Sequence, residues 1–220
     1  MSTNNKHLSA VQTIFYLTVS ILINAMGNGL TVALNLGSAM WTASAVNISN
    51  YFNIQLGSIM VGLGVTCIVI NAIINKKVDW KKILGNLVFM VPFSYLVAMF
   101  SLLFAYSGIG ELPLAIRVFL DIFGIMMLAT GVSIYQRVNL ILHPIDELMH
   151  SIRFIYCKGN PAIAQIVSFI PPMLILIGMF IISGQLYAVN IGTLVSLLFQ
   201  GSFVGLADKY IFPSLKHRFL

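Results

Sequence analysis

Two stretches of the chain, residues 8–75 and 159–207, contain no Asp, Glu, Lys or Arg. Soluble domains carry about 25% charged residues, distributed so that every surface element holds some. Here 8% of 220 residues are charged and 59% are hydrophobic. A hydrocarbon core ~30 Å thick takes roughly 20 apolar helical residues per crossing. The runs are apolar throughout and lack the alternation of lipid-facing strands, so helices follow rather than a barrel. The expected fold class is an all-α membrane protein.

Apolar runs with plausible ends cover about 10–35, 57–75, 83–106, 113–142, 161–183 and 187–207, predicting six transmembrane helices. The first run continues to about Leu36, too long for the apolar region of a signal peptide, and reads as a retained span. With the N-terminus inside, Lys6, Lys76, Lys77, Lys81, Lys82, Arg137, Arg153, Lys158, Lys209, Lys216 and Arg218 all fall on the cytoplasmic side. That is 11 of the 12 basic residues, with only Arg117 elsewhere. The bias predicts a multi-pass protein of the cell membrane with both termini cytoplasmic. The net charge of +6 is thereby read as a topology signal, and no nucleic-acid partner is expected. Cys67, in a span, and Cys157, in a cytoplasmic segment, offer no disulfide framework.

Basic flanks on both sides of residues 8–75 require an even number of crossings between them. Residues 37–56 should therefore not span, although they are uncharged. On a helical wheel Trp41, Ala45, Ile48 and Phe52 form one stripe, opposite Thr42, Ser49 and Asn53. The segment reads as an interfacial or re-entrant amphipathic helix at the outer face. A second such segment, 144–158, has the stripe Ile145, Met149, Ile152 and Tyr156, each 104 residues beyond its counterpart. At the same offset Ala25 meets Ala129, Gly27 meets Gly131, Asn35 meets Asn139 and Asn86 meets Asn190. The chain then divides into an N-terminal repeat, 1–106, and a C-terminal repeat, 107–220, each with three spans and one amphipathic or re-entrant segment. An odd number of crossings per half forces an inverted-topology repeat. Two independently arisen amphipathic loops would be the alternative.

The run Leu36-Gly37-Ser38-Ala39-Met40-Trp41 is similar to the LG-x-x-P-W turn of the YitT/YczE-type bacterial integral membrane proteins. Leu142-His143-Pro144-Ile145-Asp146-Glu147-Leu148-Met149 resembles that family's LG-x-x-P-x-D-x-L-M, and Asn190-Ile191-Gly192-Thr193 resembles its G-x-G-T. The chain departs from these motifs at Met40, in place of proline, and at Asn190, in place of glycine. The resemblance covers nearly the whole chain and implies a bacterial permease whose substrate the motifs do not name.

Several groups could carry function. Arg117 and Asp121, one helical turn apart in a span, can pair as an outer gate, or Arg117 can simply reach the headgroups while Asp121 neutralises it. Asp146, Glu147, His150 and Arg153 form either an inner gate responsive to protons or cations, or a solvated face. Asp146 and His150 supply two metal ligands without a third, so no metal is expected. Neutral polar groups within spans, Asn28, Asn35, Gln136, Asn139, Asn190 and Thr193 among them, should face the bundle or a wet cavity. With Trp41 of the first amphipathic segment they make up the expected substrate site between the repeats. Gly27 and Gly29 either loosen the first span or let helices approach closely. Gly201 and Gly205 form a G-x-x-x-G packing face, and Pro171 and Pro172 should kink the fifth span.

No P-loop, H-E-x-x-H, G-x-S-x-G or dinucleotide fingerprint occurs, so neither enzyme nor cofactor is expected. The leading expectation is a transporter or permease for a small polar or ionic solute. The alternatives are a substrate-binding subunit of a multi-component importer and a membrane factor that docks a partner. Beyond the lipid bilayer and that solute, the sequence leaves open a homo-oligomer or a partner subunit.

Overall fold

The computed structural model describes residues 8–158 and 161–216, with all their side chains except those of 150, 161, 162 and 165. The termini assigned from Lys6 and Arg218 lie outside these residues, as does the side chain of His150. Among the described residues all regular elements are helical: α1 (Ala10–Leu34), α2 (Met40–Phe52), α3 (Leu56–Ile74), α4 (Trp80–Tyr106), α5 (Leu114–Val138), α6 (Pro144–Ile155), α7 (Pro161–Ser183) and α8 (Ile191–Tyr210), with one short 3₁₀ turn at Ile109–Glu111.

Local chemistry sets the helix ends. The Gln12 amide donates to Ser9 Oγ (3.2 Å) and the Ser9 amide to Gln12 Oε1 (3.0 Å), a capping box that starts α1. Asp79 starts α4 by accepting from the amides of Lys81 and Lys82. Asn35, Asn53 and Asn139 end α1, α2 and α5 in the left-handed conformation, at φ of 50°, 53° and 47°. Asparagine is among the few non-glycine residues that visit this region readily. The fourth span was expected to run to 142; the left-handed turn at Asn139 stops it four residues earlier.

Among the described residues, six helices (α1, α3, α4, α5, α7 and α8) are long and apolar enough to cross a membrane. Large apolar side chains cover their outer faces, with Leu174, Phe180, Ile181 and Leu198 more than half exposed. A water-soluble monomer does not carry apolar surface on this scale, so this is a multi-pass membrane protein.

At the centre α1 packs antiparallel on α5. A Cβ at Gly27 would sit 2.5 Å from Gly124 O and 2.6 Å from Leu128 N. One at Gly131 would sit 2.6 Å from Asn24 Cβ and 2.7 Å from Ser20 O. Without side chains at these points the two backbones come into direct contact, the use small residues have between helices in lipid. Gly29 meets Phe100 and Ser101 of α4 in the same way. Of the two readings of Gly27 and Gly29, close approach is the one realised, and α1 runs unbroken through both. At Gly201 and Gly205, expected as a packing face, a built Cβ meets no other helix within 4 Å among the described residues.

The non-spanning helices α2 and α6 do not lie on the surface of the bundle. Trp41 to Asn47 of α2 are all buried, and only its last turn, with Tyr51 and Phe52, is exposed. The Ser44 hydroxyl donates to Pro172 O (3.0 Å), halfway along α7, whose two prolines lie inside the helix. In α6, Pro144 is fully buried and Leu148 and Ile152 pack with Trp41 and Cys67, whereas Phe154 to Tyr156 are exposed. Each helix thus enters the bundle by its N-terminal turns.

Candidate functional site

Where the N-terminal turns of α2 and α6 reach α1 and α5 they leave a cavity of about 240 Å³, to which all eight helices contribute. On the α2 side, the Thr42 hydroxyl donates to Asn28 Oδ1 (2.7 Å), and Asn28 Nδ2 donates to Asn24 Oδ1 (2.7 Å). On the α6 side, the Tyr135 hydroxyl donates to Asp146 Oδ2 (2.6 Å). Asp146 is half-buried and lines the cavity. Burial raises its carboxyl from 3.8 to about 6, while the Tyr135 hydrogen bond pulls the other way.

His143 caps α6. Its Nδ1 accepts from the Ile145 amide (3.3 Å), which places the ring proton on Nε2, and burial lowers its pKa to about 3. The ring is neutral and packs edge-on to Phe89 and Phe93 at centroid distances of 5.8 and 5.1 Å. Pro144 at the first helical position costs no hydrogen bond there.

A second, more polar cavity of about 210 Å³ adjoins the first turn of α6 and is lined by Asn71, Asn75, Lys77, Lys82, Asn86 and Glu147 among others. Glu147 accepts from Asn86 Nδ2 (2.6 Å) and pairs with Lys82 (3.4 Å). Neighbouring residues Asp146 and Glu147 therefore face different cavities, and one helical turn, held by the Asn71 Nδ2 bond to Pro144 O (3.1 Å), stands between them.

Of the residues expected at a substrate site, Asn28, Trp41, Gln136 and Asp146 line the larger cavity, joined by Asn24, Phe93, Tyr135, Ser168 and Gln200. Asn35, Asn139 and Asn190 cap helices instead. Asn35 Oδ1 accepts from the Ala188 amide (2.6 Å) and Asn190 Oδ1 from the Ile191 amide (2.8 Å). Thr193 completes the α8 capping box, and its hydroxyl also takes the Ser38 amide (3.3 Å). Arg117 and Asp121 do not form the pair their spacing allows. Arg117 Nη2 donates to Leu34 O (2.5 Å) at the end of α1, and Asp121 lies against Gly192 with Oδ1 buried and unpartnered. The ion pairs among the described residues are Lys77–Asp79, Lys82–Glu147 and Arg137–Asp208.

Sequence reasoning treated Arg137 only as a topology charge. It is in fact 1% exposed and donates to the carbonyls of Ile211 (2.9 Å), Phe212 (3.0 Å) and Leu215 (3.2 Å) just past α8. It ties the end of α8 to α5. Tyr135 was missed as well: an aromatic in an apolar run gives no sign that its hydroxyl reaches a carboxylate.

Residues 11–209 match the family described as "Family of unknown function (DUF6198)". The chain belongs to the DUF6198 family. The match takes in every residue that lines either cavity, so the site described is built from DUF6198 sequence throughout. No curated protein and no solved structure matches the chain.

Proposed function

We propose that the chain is a secondary transporter for a small polar or ionic solute, with the larger cavity as its solute site between two inverted repeats. One observation carries this reading: twelve of the 23 lining residues fall into six pairs separated by 104 residues. Asn24 and Leu128, Asn28 and Val132, Ala39 and His143, Trp41 and Ile145, Thr42 and Asp146, and Ala45 and Met149 all face the cavity. The α1–α5 contact supports the same relation. Gly27 meets residues 124 and 128 while Gly131 meets 20 and 24, which is the first contact with the two halves exchanged. A two-fold axis that exchanges antiparallel helices lies perpendicular to both. For spanning helices that places it in the membrane plane, as in inverted-repeat transporters. Discontinuous segments at such an axis are typical of their substrate sites.

In this reading α2 and α6 are re-entrant, entering from opposite faces, and the first turn of α6 separates the solute site from the polar inner vestibule at Glu147. The bias of the basic residues supports a cytoplasmic vestibule and cytoplasmic termini in this reading, with the chain in the cell membrane. The YitT/YczE resemblance agrees with a bacterial permease. The test is uptake by liposomes holding only the purified chain, for a solute that also raises its melting temperature. Such stabilisation amounts to about 2.7 kcal/mol at 100 times Kd. A solute that stabilises the protein but enters only when an ATPase is added would reassign the chain as an importer subunit.

A further inference from the structure

The charges and rings of the larger cavity narrow the solute class. Resting on the reading of that cavity as a solute site, we infer that it takes a small organic cation, an ammonium group that also bears a hydrogen-bond acceptor, with Asp146 as counter-ion. Among the described lining residues Asp146 is the one carboxylate, and none is Lys or Arg. Its hydrogen bond comes from Tyr135, and it enters no ion pair among the described residues. Among the described residues, the titratable groups that face it are Tyr135 from α5, Cys67 from α3 and the neutral His143 at the start of its own helix. An anion would meet an uncompensated negative charge there, and a neutral solute would leave the carboxylate unpaired. A cation supplies the missing partner.

The rest of the lining selects an organic ammonium over a metal ion. Trp41, Phe93, Tyr135 and Phe169 surround the space, and ring faces of this kind bind quaternary ammonium groups. Hard inorganic cations need several oxygen ligands, and no cluster of three metal-binding side chains occurs among the described residues. The acceptor requirement comes from Trp41: it is 7% exposed, and its Nε1–H is buried without a partner. A hydroxyl or carbonyl on the ligand would satisfy that donor. Because burial moves the Asp146 carboxyl to about 6, proton and cation compete for one group. Cation affinity should then fall about tenfold per pH unit below that value.

Calorimetry and thermal shift on the purified full-length chain test this with three probes. Choline carries charge and hydroxyl, 3,3-dimethylbutan-1-ol is its neutral isostere, and propyltrimethylammonium lacks the hydroxyl. Choline should bind and raise the melting temperature, and the neutral isostere should do neither. Asp146→Asn, which still accepts from Tyr135, should weaken choline at least about tenfold. Trp41→Phe should weaken choline while sparing propyltrimethylammonium. Absence of choline binding, equal binding of the isostere, or unchanged affinity in Asp146→Asn would each overturn the inference. An anionic or neutral solute whose binding Gln136→Ala abolishes would overturn the cation class and leave the solute-site reading intact. Choline bound as described but never carried into liposomes would retain the cation site and remove the transporter reading.

Discussion

Alanine at Gly131 should destabilise the protein, although alanine is the better helix former. The built Cβ lies 2.6 Å from Asn24 Cβ, 2.7 Å from Ser20 O and 2.9 Å from Asn24 N. Carbon atoms rest at about 3.5–4.0 Å, so α1 and α5 must part by roughly 1 Å. None of the three obstructing atoms is the free end of a flexible side chain. Overpacking of this kind costs about 1–3 kcal/mol, against a gain of about 0.5–1 kcal/mol from replacing a helical glycine. The net loss is about 1–2 kcal/mol, or roughly 3–6 °C in melting temperature on the scaling for chains of this length. Gly27→Ala should cost as much, since it meets Gly124 O and Leu128 N at 2.5 and 2.6 Å on the other side of the same seam. The double variant should cost less than the sum, because a seam opened once accommodates the second methyl. Gly178→Ala, in a helix where a Cβ meets nothing within 4 Å, is the control and should be neutral or stabilising. Circular-dichroism melts in detergent read all four variants. Gly131→Ala melting at or above the wild type, alongside the Gly178 control, would refute the antiparallel α1–α5 contact.

Other perturbations have equally defined outcomes. The folded pKa of Asp146 lies above its unfolded value of 3.8, so its contribution to stability is complete below pH 4 and is lost as pH rises through about 6. Asp146→Asn should therefore gain on the wild type between pH 4 and 7, by on the order of 3 kcal/mol at most, and melting curves that stay parallel over that range would exclude this. Arg137→Gln should lose about 3–5 kcal/mol and much of its folded yield in membranes, because Asp208 loses its cation and three carbonyls lose the guanidinium that donates to them. Arg137→Lys should not restore it, since an ammonium cannot reproduce the guanidinium fork; full recovery by lysine would count against the clamp. Gly192→Ala should destabilise through collision with the Asp121 carboxylate, and Asp121→Ala should restore part of the loss; strictly additive effects would show that the two do not touch.

Much of the fold is legible in the sequence because the bilayer imposes one strong constraint, long apolar helices, and the ends of those helices carry their own capping chemistry. Residues 37–56 and 144–158 stand out as a related pair for the same reason: their composition breaks an otherwise apolar chain. Their depth does not show. On a soluble protein a polar stripe faces water, but in a membrane protein it can equally face the interior, as Thr42 does toward Asn28. A helical wheel cannot choose between these. The asparagines divide by a distinction that sequence does contain. Asn35 and Asn139 close long apolar runs, where a left-handed cap is the ordinary use of asparagine, whereas Asn24 and Asn28 lie inside a run and must face something polar. Tyr135 and Arg137 had no such marker. Their roles depend on Asp146 and on the end of α8, 11 and more than 70 positions away, which only the packed bundle brings to them.

The most direct test of the central claim, a solute site shared by two opposed halves, is the accessibility of position 136. Gln136→Cys, with Cys67→Ala and Cys157→Ala, places one thiol on the cavity wall. In oriented membranes a membrane-impermeant thiol reagent should modify it from either face in turn, and a bound solute should slow both reactions. Modification from one face only, whatever solute is present, or from neither, would contradict a site open alternately to the two sides.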